Sequence, residues 1–347
     1  ERDGRLPTKD GPKTADYFER WMEQHRTGVN PTTWRNESSW MRTMNAIIGD
    51  IRLNRLTADD INGMCRRLRR TRKGKTVNTY LVLGAMLNTA KRDGLITDNP
   101  MENVRRVPED RYERVILDDA DPARVIEAAL AEPDTTVAVF DSPDEREKWA
   151  LMFELAFTTG MRPGERYGLM PYQLELHHGI PVINVCQQAK PIPSGATIPD
   201  WMDAEHLDGV IWLTKPKTAK GVRTVPIPQG LWDRLWAHIA KWGVPSHGLV
   251  FTNLYGRPIR RDNEEKRWRR ALETAGLPYV DIYSARHWLA TELAAAGAGE
   301  EERTAIMGHT DIHTTSVYTH WRERQLAETL ESAIPALRNR TGTNGAE

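Results

Sequence analysis

The sequence predicts a mainly α-helical protein with a small antiparallel β-sheet, built as a helical N-terminal domain followed by an α+β domain. Three observations carry this. Apolar residues recur at helical spacing from Thr14 to about Arg92, with no strand-like run among them. Runs rich in Val and Ile cluster in one region, at 181–187, 209–213 and 222–226. Between these regions, residues 103–115 mix charge and proline with little apolar content, as linkers do. The expected boundaries are a tether at 1–12, a helical domain at 13–107, a linker at 108–116, a second domain at 117–337 and a disordered tail at 338–347.

In the first domain, Tyr17, Phe18, Trp21 and Met22 form one helical stripe. Pro31 opens a second helix carrying Trp34, Trp40, Met41, Met44, Ile47 and Ile48, which Gly49-Asp50 ends. Thr57 is placed to cap a third, with Asp59 and Asp60 at its positive end. A fourth runs from about Thr76 to Arg92, and Asn99-Pro100 stops the helical region. Inside this domain, C-R-R-L-R-R-T-R-K-G-K at 65–75 concentrates Arg66, Arg67, Arg69, Arg70, Arg72, Lys73 and Lys75. Such a ridge is either a solvated helix end or a phosphate-binding surface, since clustered cations gain free energy from counterion release on DNA.

The second domain opens on an acidic stretch, 117–148, expected to form a solvated face that would repel a polyanion. Residues 145–158 read as a buried helix through Trp149, Met152, Phe153, Ala156 and Phe157. Gly160 can end it in the left-handed conformation, and Pro163 can open the next helix. A Pro/Gly-rich insertion at 190–208 interrupts the strand runs and has no role legible in the sequence. Helices follow at 231–242 and 263–275. Arg257, Arg260, Arg261, Lys266 and Arg270 are expected to face a nucleic-acid backbone. Leu326, Leu330, Ile334 and Leu337 form one stripe of a last helix, 322–337.

Lys plus Arg equals Asp plus Glu, 48 each, which argues against a simple polycation and leaves a local basic face open. No apolar run approaches the ~20 residues of a membrane span, and no secretory signal is visible. Cys65 and Cys186 stand far apart with no metal-ligand spacing, as reduced thiols of a cytosolic protein do. The chain begins at Glu1 rather than Met, as a fragment lacking an N-terminal piece would.

Four stretches carry chemistry. T-T-G-M-R-P-G-E-R-Y-G-L at 158–169 puts Arg162 on a turn between helices, with Glu165 placed to orient it. T-K-P-K-T-A-K-G at 214–221 puts Lys215, Lys217 and Lys220 near a hairpin tip. D-I-Y-S-A-R-H-W-L-A-T at 281–291 holds Tyr283 and Arg286. A-I-M-G-H-T-D-I-H-T-T-S-V-Y-T-H at 305–320 holds His309, Tyr318 and His320. A tyrosine hydroxyl, with a reference pKa of about 10, is a poor nucleophile at neutral pH. It becomes useful where cations stabilise both the phenolate and the anion it attacks. A Thr-rich turn with a packing tyrosine is the plain alternative. His309, His313 and His320 lack a Cys or acidic partner at metal spacing, so no metal site is expected.

Together these stretches resemble the tyrosine recombinases, or phage-type integrases. That family's pattern is an Arg after a helix-ending Thr-Gly, a Lys in a β-turn, a His-x-x-Arg box, a Gly-His step and a Tyr nine positions beyond that His. The matching positions are Arg162, Lys217, Arg286, His309 and Tyr318, over a resemblance spanning about 13 to 337. It implies a helical SAM-like core-binding domain, half of a clamp on DNA, followed by an α+β catalytic domain. The implied function is that of a site-specific DNA recombinase (integrase), which cuts and rejoins strands through a 3′-phosphotyrosine. Arg162 and Arg286 would fork onto the non-bridging oxygens, His309 would support them, and Lys217 would protonate the leaving 5′ oxygen. Lys215 and Lys220 compete for that last role, and Glu165 and His320 are supporting residues. Tyr283 stands where the family usually has His. It can donate a hydrogen bond to phosphate but does not titrate near neutrality.

The implied partners are double-stranded DNA with attachment or core-type sites, and three further copies of the chain. They would form a homotetramer on two duplexes, joined through the C-terminal helix and free of any membrane. The implied setting is the cytoplasm, for a prokaryotic or phage-encoded enzyme. No cofactor is expected: one diester replaces another, so ATP is not needed, and two guanidiniums supply the charge that Mg²⁺ supplies elsewhere. A type IB-like topoisomerase that only religates, and a catalytically silent DNA-binding regulator, share the pattern.

Overall fold

The computed structural model describes residues 11–71, 73–104, 117–132, 141–216, 221–308 and 320–334, with backbone alone at 71, 73–75 and 320–325. The chain divides into two compact units, Glu1–Glu113 with Ile192–Met202, and Arg114–Pro191 with Asp203–Glu347.

The first unit is helical. Helix α1 (Thr14–His25) presents Tyr17, Phe18, Trp21 and Met22 to the core, the stripe read from the sequence. Helix α2 (Pro31–Ile48) starts where Asn30 accepts a hydrogen bond from the Thr32 amide at 3.1 Å. Helix α3 (Ala58–Thr71) begins with a reciprocal cap: the Thr57 hydroxyl accepts from the Asp60 amide, and the Asp60 carboxylate accepts from the Thr57 amide. Helix α4 (Lys73–Arg92) starts three residues before the expected Thr76. Asn99, where the helical region was expected to stop, caps a 3-10 turn, Pro100–Asn103. Met41, Met44, Ile61, Met64, Leu83 and Leu87 fill the core. The middle of the proline-rich insertion belongs to this unit, where the Trp201 indole donates to the Thr27 carbonyl at 2.8 Å.

The second unit opens with α5 (Asp121–Leu130), which packs against α6 (Pro143–Thr159) and a later helix, α9 (Arg261–Thr274). The acidic stretch before and within α6 is therefore not wholly a solvated face. Asp121, Asp141 and Glu145 are buried. Asp141 is enclosed by Arg267 and Arg270, so its charge is neutralised in the interior. Ser142 caps α6 on the Glu145 amide at 3.2 Å. A short helix, α7 (Pro163–Tyr167), follows.

Among the described residues, two three-stranded antiparallel sheets come next, where the sequence predicted one. Strands β1 (Leu174–His177), β2 (Ile180–Val185) and β6 (Arg223–Pro226) form the first, ordered β1-β2-β6. Strands β3 (Gln188–Pro191), β4 (Ala204–Asp208) and β5 (Ile211–Thr214) form the second, ordered β3-β5-β4. The two ends of the proline-rich insertion supply β3 and β4. Their pairing with β5, rather than local propensity, makes them strands.

Helices α8 (Gln229–Trp242), α9 (Arg261–Thr274), α10 (Tyr283–Ala295), α11 (Glu300–Met307) and α12 (His320–Ala333) complete the unit. Trp268 of α9 is fully buried, edge-on to Phe153 with ring centroids 5.1 Å apart. Leu326, Leu330 and Ile334, of the stripe expected to meet a neighbouring protomer, are buried in this unit's own core, where α12 packs on α10 and β6, and Leu337 lies outside the described residues. Among the described residues no helix is long and apolar enough to cross a membrane.

Candidate active site

The site is built around the turn that ends α6. The Thr159 hydroxyl donates back to the Leu155 carbonyl at 2.5 Å and accepts from the Met161 amide at 3.2 Å. Gly160 then takes φ 59°, the left-handed conformation expected of it. A Cβ there would lie 2.9 Å from the Met307 sulfur, so the position also admits the close approach of α11. Arg162 is the residue just before α7, with extended backbone. Glu165 reaches back to the Arg162 amide with Oε2 and accepts from the Arg162 guanidinium with Oε1, both at 2.9 Å.

Arg286, on α10, comes to the same turn. Its Nη1 donates to the Gly160 carbonyl at 2.5 Å, and its Nη2 donates to the Met307 carbonyl. Arg162 Nη2 donates to the next carbonyl, Gly308, at 3.3 Å. The structure thus gathers Arg162, Glu165 and Arg286 at the C-terminal end of α11, whose carbonyls carry partial negative charge. Arg162 keeps about a third of its side chain exposed, at 33%, whereas Arg286 is buried.

A third guanidinium stands here that the sequence reading missed. Arg223, on β6, donates to Glu165 Oε2 at 2.9 Å and to the Ile306 carbonyl at 2.8 Å. The signal for it was the alternation of the strand. Arg223 shares the core-facing side with Val225, and a cation on that side must be paired. Burial pushes the Glu165 carboxyl up, but Arg223 and Arg162 outweigh it and hold the group below its ordinary value. Burial, and then repulsion from Arg162 and Arg223, weakens the hold of Arg286 on its proton, with Glu165 opposing.

Beneath the turn lies a second pair missed by the sequence. Arg166 donates to the Met161 carbonyl at 2.7 Å and to Glu264 at 2.5 Å, and the Tyr167 hydroxyl donates to the other Glu264 oxygen. Arg166 and Glu264 are 1% and 0% exposed.

The remaining candidates are placed less completely. Tyr283 opens α10, exposed, one turn before Arg286. Lys217, Lys220, His309 and Tyr318 lie outside the described residues, and His320 is described only as the first backbone position of α12. Lys215 is exposed and pairs with Asp203 at 2.7 Å. Arg66, Arg67, Arg69 and Arg70 project from the outer face of α3, while Ile61, Met64 and Leu68 fill its inner face. Arg72 and the side chains of Lys73 and Lys75 lie outside the described residues. Arg257, Arg260, Arg261 and Lys266 are exposed, and Arg257 and Arg260 line a cavity of about 670 Å³ with Tyr255 and Asn263. Arg270 departs from expectation. It is partly exposed, but Asp141 at 2.8 Å and the Ala131 carbonyl at 3.1 Å hold it, so its charge is paired within the protein.

Residues 196–325 match the "Phage integrase family" profile, and residues 15–68 match "Phage integrase, N-terminal SAM-like domain". A tyrosine recombinase XerC-like protein of Caldanaerobacter subterraneus subsp. tengcongensis is 26% identical, over 75% of this chain and 66% of that protein. A tyrosine recombinase XerD of Lacticaseibacillus casei is 24% identical, over 70% of this chain and 71% of that one. Among solved structures, the Tn1549 transposon integrase bound to circular intermediate DNA superposes with a TM-score of 0.68 at 18% identity, covering 91% of this chain and 99% of that one. A lambda integrase tetramer bound to a Holliday junction gives 0.61 at 15% identity, covering 89% and 82%.

Proposed function

We propose, for a chain that belongs to the phage integrase family of tyrosine recombinases, that it is a site-specific DNA recombinase acting by transesterification. The observation that carries this reading is the convergence of Arg162 and Arg286 on one helix end, beside Glu165, which pairs with Arg162 and Arg223. The charges do not cancel, and the excess is positive and fixed in place. Such a site suits the dianionic phosphorane that forms when a diester is attacked.

The chemistry follows from the residue types. The Tyr318 oxygen attacks the scissile phosphorus and displaces the 5′ oxygen, leaving a 3′-phosphotyrosine. Arg162 and Arg286 stabilise the non-bridging oxygens through forked donors, which a lysine cannot supply. His309 supports the same oxygens, with Tyr283 as a further donor to phosphate. Lys217 protonates the leaving 5′ oxygen, with Lys220 as an alternative donor. Lys215 is engaged by Asp203 and is the weaker candidate. A 5′ hydroxyl from a partner strand then attacks the phosphotyrosine and reverses each step. One diester is exchanged for another throughout, so no nucleotide hydrolysis is coupled to it.

The outward arginines of α3 and the exposed Arg257, Arg260, Arg261 and Lys266 bind DNA backbone. Assembly as a homotetramer on two duplexes is supported by the lambda integrase likeness. The apolar stripe of α12, buried here in its own unit, would exchange onto a neighbouring protomer. The bacterial relatives support a cytoplasmic site of action.

The test is a supercoiled plasmid bearing two candidate sites, incubated in EDTA without ATP. Exchange of flanking segments supports a recombinase. Relaxation alone identifies a topoisomerase, and binding without any strand breakage identifies a regulator.

A further inference from the structure

We propose that Arg223 is a positioning residue for strand cleavage, acting through Glu165 and the end of α11. The proposal rests on the reading of the Arg162–Arg286 cluster as a phosphodiester site, and it adds a residue outside the matched motifs.

Arg223 is not aimed at a substrate. Its side chain is 2% exposed, and three of its nitrogens are taken by protein oxygens. Nη2 donates to Glu165 Oε2 at 2.9 Å, Nε to the Ile306 carbonyl at 2.8 Å, and Nη1 to the Gly221 carbonyl at 3.1 Å. Each partner is a site residue or lies close to one in the sequence. Glu165 is the carboxylate that orients Arg162. Ile306 is three residues before His309 in the sequence. Gly221 directly follows, in the sequence, the segment that holds Lys217.

The arrangement has a regular logic. The three carbonyls before His309 each accept from a different guanidinium: Ile306 from Arg223, Met307 from Arg286 and Gly308 from Arg162. Strand β6, helix α10 and the start of α7 are thereby tied to one helix end. Without Arg223, Glu165 keeps Arg162 as its remaining cationic partner, and the Ile306 carbonyl loses a donor. The freed carboxylate then draws Arg162 towards itself and away from the phosphate. Misplacement of this kind, by about 1 Å, costs about 100-fold in rate.

The experiment compares wild type, Arg223→Lys, Arg223→Met, Glu165→Gln and the Glu165→Gln/Arg223→Met double variant on a nicked suicide duplex. DNA affinity and the single-turnover rate of covalent adduct formation are read separately. The expected result is unchanged affinity, with adduct formation slowed about 100-fold in Arg223→Met. Arg223→Lys recovers part of the rate, because an ammonium reaches Glu165 but not Ile306 as well. The double variant is no slower than the slower single variant, as expected when two residues act as one unit. If thermal melting shows that Arg223→Met does not fold, the same comparison with Arg223→Lys in place of Met decides the matter. Wild-type cleavage by the Arg223 variants, or losses that multiply in the double variant, overturns the proposal and leaves the site reading intact. Absence of any adduct with the wild-type enzyme overturns the site reading itself.

Discussion

Arg162 and Arg286 donate to adjacent carbonyls, Gly308 and Met307, at the end of a single helix. They arrive from distant parts of the chain, one on a turn and one on α10. Two like charges held this close repel, and burial of Arg286 strengthens the repulsion. Glu165 and the helix-end carbonyls offset part of it. A phosphodiester would offset the rest, so the free site is poised for an anion.

Replacing either arginine by lysine keeps a positive charge and removes the fork. Arg162→Lys and Arg286→Lys are expected to slow adduct formation by about 100-fold or more each. Single-turnover cleavage of a suicide duplex measures this. A rate within a factor of about two of wild type would show that charge alone suffices and that the fork is idle.

The Arg166–Glu264 pair supports the same turn from below. Breaking one partner of a buried ion pair strands the other, at a cost of about 3–5 kcal/mol. Urea unfolding of Arg166→Met and Glu264→Gln is expected to show losses in that range. A loss of about 1 kcal/mol, as for an exposed pair, would mean that water reaches Glu264.

His238 sets an acid limit on stability. Burial lowers it from 6.5 to about 4, helped by Lys148 and Lys241, against the Val250 carbonyl and Glu147. The native state resists the proton that the unfolded chain accepts. Stability is therefore complete above the unfolded value and declines as pH falls towards the folded one, by up to about 3 kcal/mol. His238→Gln is expected to flatten the dependence of the urea midpoint on pH across that window. An equally steep curve in the variant would place the titrating group elsewhere.

The outer arginines of α3 are expected to act through charge. Replacing Arg66 and Arg70 by alanine lowers affinity for all duplexes alike and reduces the slope of log K against log salt by about 1 per lost phosphate contact. Fluorescence anisotropy across a salt series reads it. An unchanged slope would make the ridge a solvated face.

Much of this was legible in the sequence. Thr159, Gly160 and Pro163 announce a helix end, a left-handed turn and a new helix, and so place Arg162. The stripe of α1 and the cap at Thr57 were equally local signals. What stayed hidden depends on partners far along the chain. Arg223 reads as one cation in a short strand until Glu165 and Ile306 are beside it. The acidic stretch reads as solvated until Arg267 and Arg270 close on Asp141. Strands β3 and β4 come from a Pro/Gly-rich segment that only pairing with β5 makes extended. The stripe of Leu326, Leu330 and Ile334 was visible, but periodicity does not say whose core it enters.

The most direct test is the identity of the atom that holds the DNA. A suicide duplex trapped on the wild-type enzyme is digested with nuclease and protease, and the nucleotide-bearing peptide is sequenced by mass spectrometry. The account predicts a nucleotide linked through its 3′ phosphate to Tyr318, with no adduct from Tyr318→Phe. A linkage to any other residue, or an adduct that survives Tyr318→Phe, would contradict it.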